Sequence, residues 1–543
     1  MSESKVDAQH FEDNTHGEKH VVDTEPVDHK GDLGAAFYAE YTGPRTEITD
    51  HDSDSVRWRI DKFLLPIICY IYFCQQLDKS TLSFAAVFNI QKDANLVGQE
   101  YSWLNSIVYF AQLVFQPLSV YALVKVPVHY WICGCFTAWS VVLIIMTGMK
   151  NFAGLATLRF FLGGFEASIA PSMLVVSSMW WTRREQVLRN NIWYSMNGMA
   201  AILGSLLTYG LGHIKSNVLH EYQIIFLGIG LLSLAFAIPT WFLFPRHPAR
   251  VKWLTQEQKY IALERIRLNN TGTQTHEFKW AHVREALTDP KSILFVIMVF
   301  CISLVSGGIT SFGPLILKGF GLTQFQTILY NMIPGAIGIV SNLISAFAIT
   351  KTKYKTPVLF IVSLFPLAAA VALYELPRGN AYKHELLAVY FILTVYQCIT
   401  PIIFSWTFAN TAGHTKKTTM TGLLYVGLCT GNIVGPQLYK ANEKPYYKTG
   451  LKANMAVLCI LSGCILLQAF YLTILNRRNV KRRQAAGKTG QLVDYSLEAS
   501  SKWKALRSEQ VARDQAEGHV AAQNENAFAD LTDLKNEDFI YSL

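Results

Sequence analysis

An all-α membrane protein with twelve transmembrane helices in two six-helix bundles is the fold class this sequence predicts, and three observations predict it. About half of the 543 residues are apolar and only 16% are charged, a balance unlike that of soluble globular chains of this length. Apolar runs of bilayer length occur six times, pause over a polar interval, and occur six times more. The densest cationic clusters flank those runs at points that share one side of a membrane when the number of spans is even.

The first six runs read at about 63–86, 102–124, 131–149, 152–180, 190–213 and 223–244, and the second six at about 292–316, 325–350, 357–376, 386–409, 418–440 and 453–475. The plan is therefore a polar, mostly acidic and disordered N-terminal tail over 1–56, a bundle over 57–245, a central loop over 246–290, a second bundle over 291–476 and a tail over 477–543. No basic start with a short apolar core and a small-residue cleavage site precedes the first run, so the first span itself serves as the insertion signal. The cationic clusters are Arg57, Arg59 and Lys62, then Arg246, Arg250 and Lys252, then Arg477, Arg478, Lys481, Arg482 and Arg483. They place both tails and the central loop in the cytoplasm. In that loop Thr255 and Gln258 have the spacing of a capping box ahead of a helix over 259–266, and Trp280, Val283 and Leu287 repeat at helical spacing. Short amphipathic helices lying against the bundle are expected there.

The net charge of +9 does not point to nucleic acid, because the basic residues gather beside apolar spans and form no long stripe with interleaved aromatics. All nine cysteines fall in apolar segments, where they pack as small hydrophobes, and no disulfide framework or zinc-ligand pattern is expected. No phosphate-cradling glycine loop, His-Glu-x-x-His pair or serine elbow appears. The chain reads as a non-enzyme with no cofactor, drawing on an ion gradient and not on ATP.

Charge placed inside the apolar runs marks the candidate site. Arg159 and Glu166 sit in the fourth run about two helical turns apart, on nearly one face. An ionisable group at membrane depth costs at least roughly 2.5 to 3.5 kcal/mol on insertion scales, so both must face protein or water. A structural ion pair between helices is the competing account. In the first run Asp78 and Lys79 interrupt an apolar helix after Gln75 and Gln76, and as sequence neighbours they point roughly 100° apart. Lys79 at the outer end of a short span, reaching to the interface, is the alternative for that residue. Ala200 with Gly204, and Gly427, Gly431 and Gly435, form small-residue ridges suited to close helix packing. Gly307-Gly308 and Pro401 mark points where the seventh and tenth spans are expected to bend or break.

Leu77-Asp78-Lys79, Arg159-Phe-Phe-Leu-Gly163-Gly164-Phe-Glu166, Trp180-Trp181-Thr-Arg-Arg-Glu185-Gln186 with Arg189, and Asn197-Gly198 stand in the first half. Asn410-Thr-Ala-Gly413-His-Thr-Lys416-Lys417, Gly431-Asn432-Ile-Val-Gly435-Pro436-Gln437 and the ending from Asp530 to Tyr541 stand in the second. On these residues the chain resembles the allantoate permease family of fungal major facilitator transporters, in the anion:cation symporter group. The loop rich in Gly, Asp and Arg that is general in the superfamily is degenerate here, at Tyr121 to Val128. The resemblance implies the major facilitator fold, with spans one, four, seven and ten lining a cavity that opens to alternate sides, and entry of small organic anions with protons. Arg159 and Lys79 then hold the anion, since a guanidinium matches a carboxylate in a bidentate fork and stays charged. Glu166, with Asp78 as the next candidate, carries the proton, because a carboxyl shielded from water binds protons nearer neutrality. Tyr396, Gln397, Ser405 and Asn410 of the tenth span supply neutral hydrogen bonds.

The leading expectation is a multi-pass plasma-membrane symporter that brings a carboxylated nutrient, such as a ureide, vitamin acid or short peptide, into a fungal cell with protons. Its partners are that small anion, protons and the lipid bilayer. Export of a metabolite or drug by proton exchange, and a nutrient receptor that scarcely transports, are the alternatives. The topology carries its own probe in Asn269-Asn270-Thr271, a glycosylation acceptor within the central loop. Asn269 is expected to remain unglycosylated in the full-length protein. A glycosidase-sensitive mobility shift that Asn269→Gln abolishes would put the loop outside.

Overall fold

The computed structural model describes residues 50–267, 279–377, 380–485, 531–537 and 539–543. Asn269, most of the N-terminal tail (1–49) and residues 486–530 lie outside the described residues. Among the described residues every regular element is helical, and helix covers each of the twelve apolar runs. The first bundle comprises Asp50–Val87, Glu100–Lys125, Val128–Met146, the pair Phe152–Glu166 and Ile169–Trp180, the pair Arg183–Tyr194 and Met196–Gly212, and Glu221–Leu243. The second comprises Pro290–Lys318, the pair Gln324–Tyr330 and Met332–Thr352, Lys355–Glu375, then Lys383–Leu393 continuing through a 3-10 turn at Thr394–Cys398 into Ile399–Ala409, and finally His414–Gln437 and Lys448–Ala485. The ordinals first to twelfth refer to these spans.

Nine of the twelve are long and apolar enough to cross a bilayer by composition alone. The exceptions among the described residues are the first, fifth and eleventh. The first carries Asp61, Gln75, Asp78 and Lys79, and the eleventh carries Lys416, Lys417 and four threonines within Thr415–Thr421. The fifth keeps only Met196–Gly212 as its apolar part. Spans that spend side chains on polar interior contacts have fewer left for lipid, so their mean hydropathy falls.

Two breaks follow from proline. The fourth span interrupts at Ala167 and Ser168, where Pro171 has no N–H to offer the carbonyl four residues earlier. One residue before that Ala167 carbonyl, the carbonyl of Glu166 accepts from Gln75 Nε2 at 3.2 Å. The tenth span tightens to a 3-10 turn just ahead of Pro401. The seventh span differs from expectation, because Gly307-Gly308 lie within the unbroken helix Pro290–Lys318. These glycines serve close approach: a Cβ on Gly307 would lie 2.9 Å from Asn432 Cα, and one on Gly308 would enter the ring of Tyr439. The ridge Gly427, Gly431, Gly435 is the other face of the same contact, its Cβ positions falling 3.0 Å or less from atoms of Val296, Ser303, Leu304 and Gly308. Small residues every four positions on both helices let the two backbones touch. Ala200-x-x-x-Gly204 behaves likewise toward the first span, with Gly204 against Leu77 and Phe84.

On the side that carries the tails, the two bundles are closed off differently. In the first, Asp61 accepts from Trp181 Nε1 at 2.8 Å and pairs with Arg189, and Glu185 pairs with Arg265 of the central-loop helix Gln256–Arg267. That helix begins with the expected reciprocal box, Thr255 N to Gln258 Oε1 at 3.2 Å and Gln258 N to Thr255 Oγ1 at 3.3 Å. The second loop helix, Trp280–Thr288, departs from the expected facing: His282 and Ala286 are buried, while Trp280 and Leu287 are exposed. In the second bundle the closing element is the chain's own segment 531–543. The expected polar tail thus begins with helix to Ala485, and its described residues from 531 onward are irregular chain and turns docked on the bundle.

The hydrogen bonds that join the bundles lie toward the opposite face. Ser83 donates to Thr310 O at 2.9 Å, Tyr101 OH to Ser311 O at 2.8 Å, Ser106 to Ile433 O at 2.7 Å and Lys318 Nζ to Val87 O at 2.9 Å. His213 stacks on Phe325 with ring centroids 3.9 Å apart. Midway along the fifth and eighth spans the backbones of Gly198 and Gly335 abut, and a Cβ on Gly335 would lie 2.9 Å from Ala201 Cβ. The seam is closed on the face away from the tails.

The seventh-to-eleventh contact gives a direct test. Gly431→Ala adds a methyl 2.8 Å from Ser303 Cβ, and overpacking of this kind costs about 1 to 3 kcal/mol. A lowered melting temperature of the purified protein in detergent is expected, whereas Gly422→Ala, with open space around its Cβ position, leaves it unchanged.

Candidate functional site

Arg159 and Glu166 lie on one face of Phe152–Glu166 and are both buried, at 2% and 1% exposure. Neither is satisfied by protein: Arg159 Nε and both carboxylate oxygens of Glu166 have no hydrogen-bond partner. A structural ion pair between them is therefore absent from this arrangement. They remain within electrostatic reach of one another, and Glu166 is also within reach of Lys79. Lys79, from the first span, does not run to the interface but sits over the ring of Tyr109, 4.3 Å from its centroid. The first, second and fourth spans thus converge two cations and one carboxylate on a single space.

Asp78 turns the other way, as adjacency on a helix requires. Its Oδ2 accepts from Trp139 Nε1 at 2.7 Å and its Oδ1 from Ser233 Oγ at 2.8 Å. It ties the first span to the third and sixth, and it reaches Glu166 and Arg159 through space only.

The second bundle faces this centre with neutral groups. Tyr396 is buried, its hydroxyl 3.4 Å from Thr310 Oγ1, and lies within electrostatic reach of Tyr109. Tyr194 is near both Tyr109 and Tyr396, Tyr425 is near Tyr194, and Cys429 is near Lys79. Four tyrosines from the second, fifth, tenth and eleventh spans thus surround the charged centre. Of these only Tyr396 is legible as a site residue from sequence, because a tyrosine among 25 carries no distinguishing pattern.

The other tenth-span candidates sit elsewhere. Gln397 donates to Pro334 O at 3.1 Å and packs on Gly338 in the eighth span. Ser405 is exposed, and its carbonyl accepts from Lys355 Nζ at 3.1 Å. Asn410 is fully buried against the terminal segment, accepting from Ser542 N at 2.8 Å and donating to Ser542 O at 3.0 Å. These three are not brought to the charged centre.

A twelve-span, two-bundle fold with buried, unpartnered charge held at its centre is that of a membrane transporter. The chain belongs to the Major Facilitator Superfamily, whose description matches residues 68–436. An uncharacterized transporter of Schizosaccharomyces pombe is 34% identical over 436 residues, covering 80% of this chain and 81% of that one. The allantoate permease of Saccharomyces cerevisiae is 27% identical over 515 residues, covering 92% and 88%. Among solved structures, an inward-facing bacterial homologue of the human lysosomal transporter spinster superposes with a TM-score of 0.58 at 14% identity, over 78% of this chain and 98% of that one. The likeness to that structure is one of fold.

Proposed function

We propose that the protein imports a small organic anion together with protons across the plasma membrane of a fungal cell, with both tails in the cytoplasm. The observation that carries this reading is the buried, unpartnered state of Arg159 and Glu166 beside Lys79. Two cations face one carboxylate that no donor satisfies, so the centre carries net positive charge and attracts an anion. A relative named for allantoate, itself a carboxylate, supports the same substrate class.

The mechanism follows from competition for one field. With Glu166 ionised, the positive charge of Lys79 and Arg159 is partly spent on it. A proton on Glu166 leaves both cations to a substrate carboxylate, which Arg159 meets with its planar fork. Anion and proton thereby bind with positive coupling, and by linkage each raises the affinity for the other. The tyrosines bound the rest of the molecule and offer neutral hydrogen bonds. Asp78 stays in its bonds to Trp139 and Ser233, holding the first span so that Lys79 points to the centre.

Uptake in cells lacking their own permeases, with organic acids competed against one another at acidic and neutral external pH, identifies the substrate and tests the class. On the compound so found, Glu166→Gln is expected to abolish the pH dependence of uptake while retaining exchange, because the amide mimics the protonated acid and cannot release a proton. Accumulation against a gradient with an unaltered pH profile would make Glu166 structural.

Arg159→Lys keeps the charge and removes the fork. Normal surface amount, a half-saturation concentration raised about tenfold or more, and weakened preference for the acid over its amide are expected from losing one bidentate contact. Unchanged affinity and preference at normal expression would move the anion contact to Lys79.

A further inference from the structure

A second anion site, built into the other half of the molecule, is already filled. At the tail-side end of the second bundle, Lys291 of the seventh span and Lys416 of the eleventh are both completely buried. With Asp289 and Asp533 they form a ring of alternating charge: Lys291 Nζ is 3.4 Å from Asp289 Oδ2, Asp289 Oδ2 is 3.0 Å from Lys416 Nζ, Lys416 Nζ is 2.9 Å from Asp533 Oδ1, and Asp533 Oδ2 closes the ring on Lys291. Three corners come from the bundle and its entry turn. The fourth, Asp533, arrives on the segment 531–543, separated from the end of the twelfth span at Ala485 by 45 residues of chain.

The fit is specific beyond the charge. Asp533 Oδ1 also accepts from Ala412 N at 3.3 Å, and Tyr541 OH donates to Asp533 Oδ2 at 3.1 Å while its ring covers Lys291. Thr532 is buried and donates to Glu285 at 2.9 Å. Asn476, Asn479 and Asn410 read the backbone of Tyr541, Phe539 and Ser542 through amide hydrogen bonds of 2.8 to 3.0 Å. Lys416 has Glu285 Oε1 at 2.8 Å as a further partner, whereas Lys291 without Asp533 would keep, among the described carboxylates, only Asp289 Oδ2 at 3.4 Å, an oxygen it shares with Lys416. Side chains that satisfy a peptide backbone, around a buried lysine whose own carboxylate arrives with that peptide, are the marks of a peptide-recognition groove. Burial opposes ionisation of Asp533, yet Lys291 and Lys416 hold its carboxyl below the ordinary range, so it binds as an anion.

We propose that the second bundle carries a binding site for an acidic peptide, that its ligand is the chain's own segment 531–543, and that occupancy ties the tail-side ends of the seventh, tenth and eleventh spans into one unit. Lys291 opens the seventh span, Trp406 and Asn410 end the tenth, and Ala412 and Lys416 lead into the eleventh. Each of them contacts the segment and none touches the charged centre at Arg159. The segment is a positioning element, acting on how these three ends move together and not on the transported molecule.

The test uses the full-length protein with a protease site placed between residues 486 and 530. After cutting, the fragment that contains 531–543 is expected to stay with the membrane portion through gel filtration, and to be lost when Asp533→Asn is present. Loss is expected to raise amide exchange about tenfold or more at 289–293, 406–412 and 414–418, with 181–194 of the first bundle unchanged. Adding the synthetic peptide 531–543 should restore protection, and the same peptide with Asp533→Asn should not. Dissociation of the unmutated fragment on cutting, equal rescue by the Asn peptide, or unaltered exchange after the fragment leaves would each overturn the proposal. Because no transported compound enters the experiment, its outcome is independent of the anion-import reading.

Discussion

Everything in the molecule's interior is arranged around a guanidinium that has been taken out of water and given no permanent partner. Burying an ion without satisfying it costs several kcal/mol, and Arg159 at 2% exposure bears that cost in the middle of the fourth span. The surrounding structure makes the arrangement tolerable by distance and not by contact. Glu166 sits two turns away on the same face, Lys79 is held off by the ring of Tyr109, and Asp78 is engaged by Trp139 and Ser233. A tightly closed ion pair would have been stable and inert. A loosely balanced one is what a transient ligand needs.

The two bundles divide the labour unequally. All the charge at the centre comes from the first bundle, which is closed on its tail side by Asp61 with Arg189 and Glu185 with Arg265. The second bundle contributes tyrosines and a cysteine to the centre and concentrates its own buried charge at its tail-side end, in the ring completed by Asp533. Electrostatic recognition and mechanical integrity therefore occupy different halves.

What could be read without a structure depended on the range of the interaction. Spans were legible because bilayer length is a local property of about twenty residues, and Arg159 and Glu166 could be put on one face because helical periodicity is local too. The glycine ridge of the eleventh span was legible as packing, but its partner was not: Gly307-Gly308 read as a break when the reason for them lay in Asn432 and Tyr439, over a hundred residues later. Asn410 read as a cavity residue because its place on the tenth span was visible while Ser542, which it holds, is 132 residues away. Tyr109, Tyr194 and Tyr425 carried no signal, since their role is set by convergence of spans. The stripe Trp280, Val283, Leu287 misled about facing because periodicity tells which residues share a face and not which face is covered, and the covered pair is His282 and Ala286.

The contact between Gly198 and Gly335 bears on how such a bundle moves. Glycines bring the two backbones into direct contact, with Ala201, Ile202 and Ile339 packed beside them, so the two helices can turn against each other while staying in touch. Because the contact lies near the middle of both spans, with roughly 15 Å of helix on either side, a rotation of about 20° there would swing the span ends through about 5 Å. The same small rotation parts the seam on one face as it closes it on the other, as a hinge pin set at the centre of a door opens both edges in opposite directions. A side chain at either glycine would move that axis off centre and make the two openings unequal.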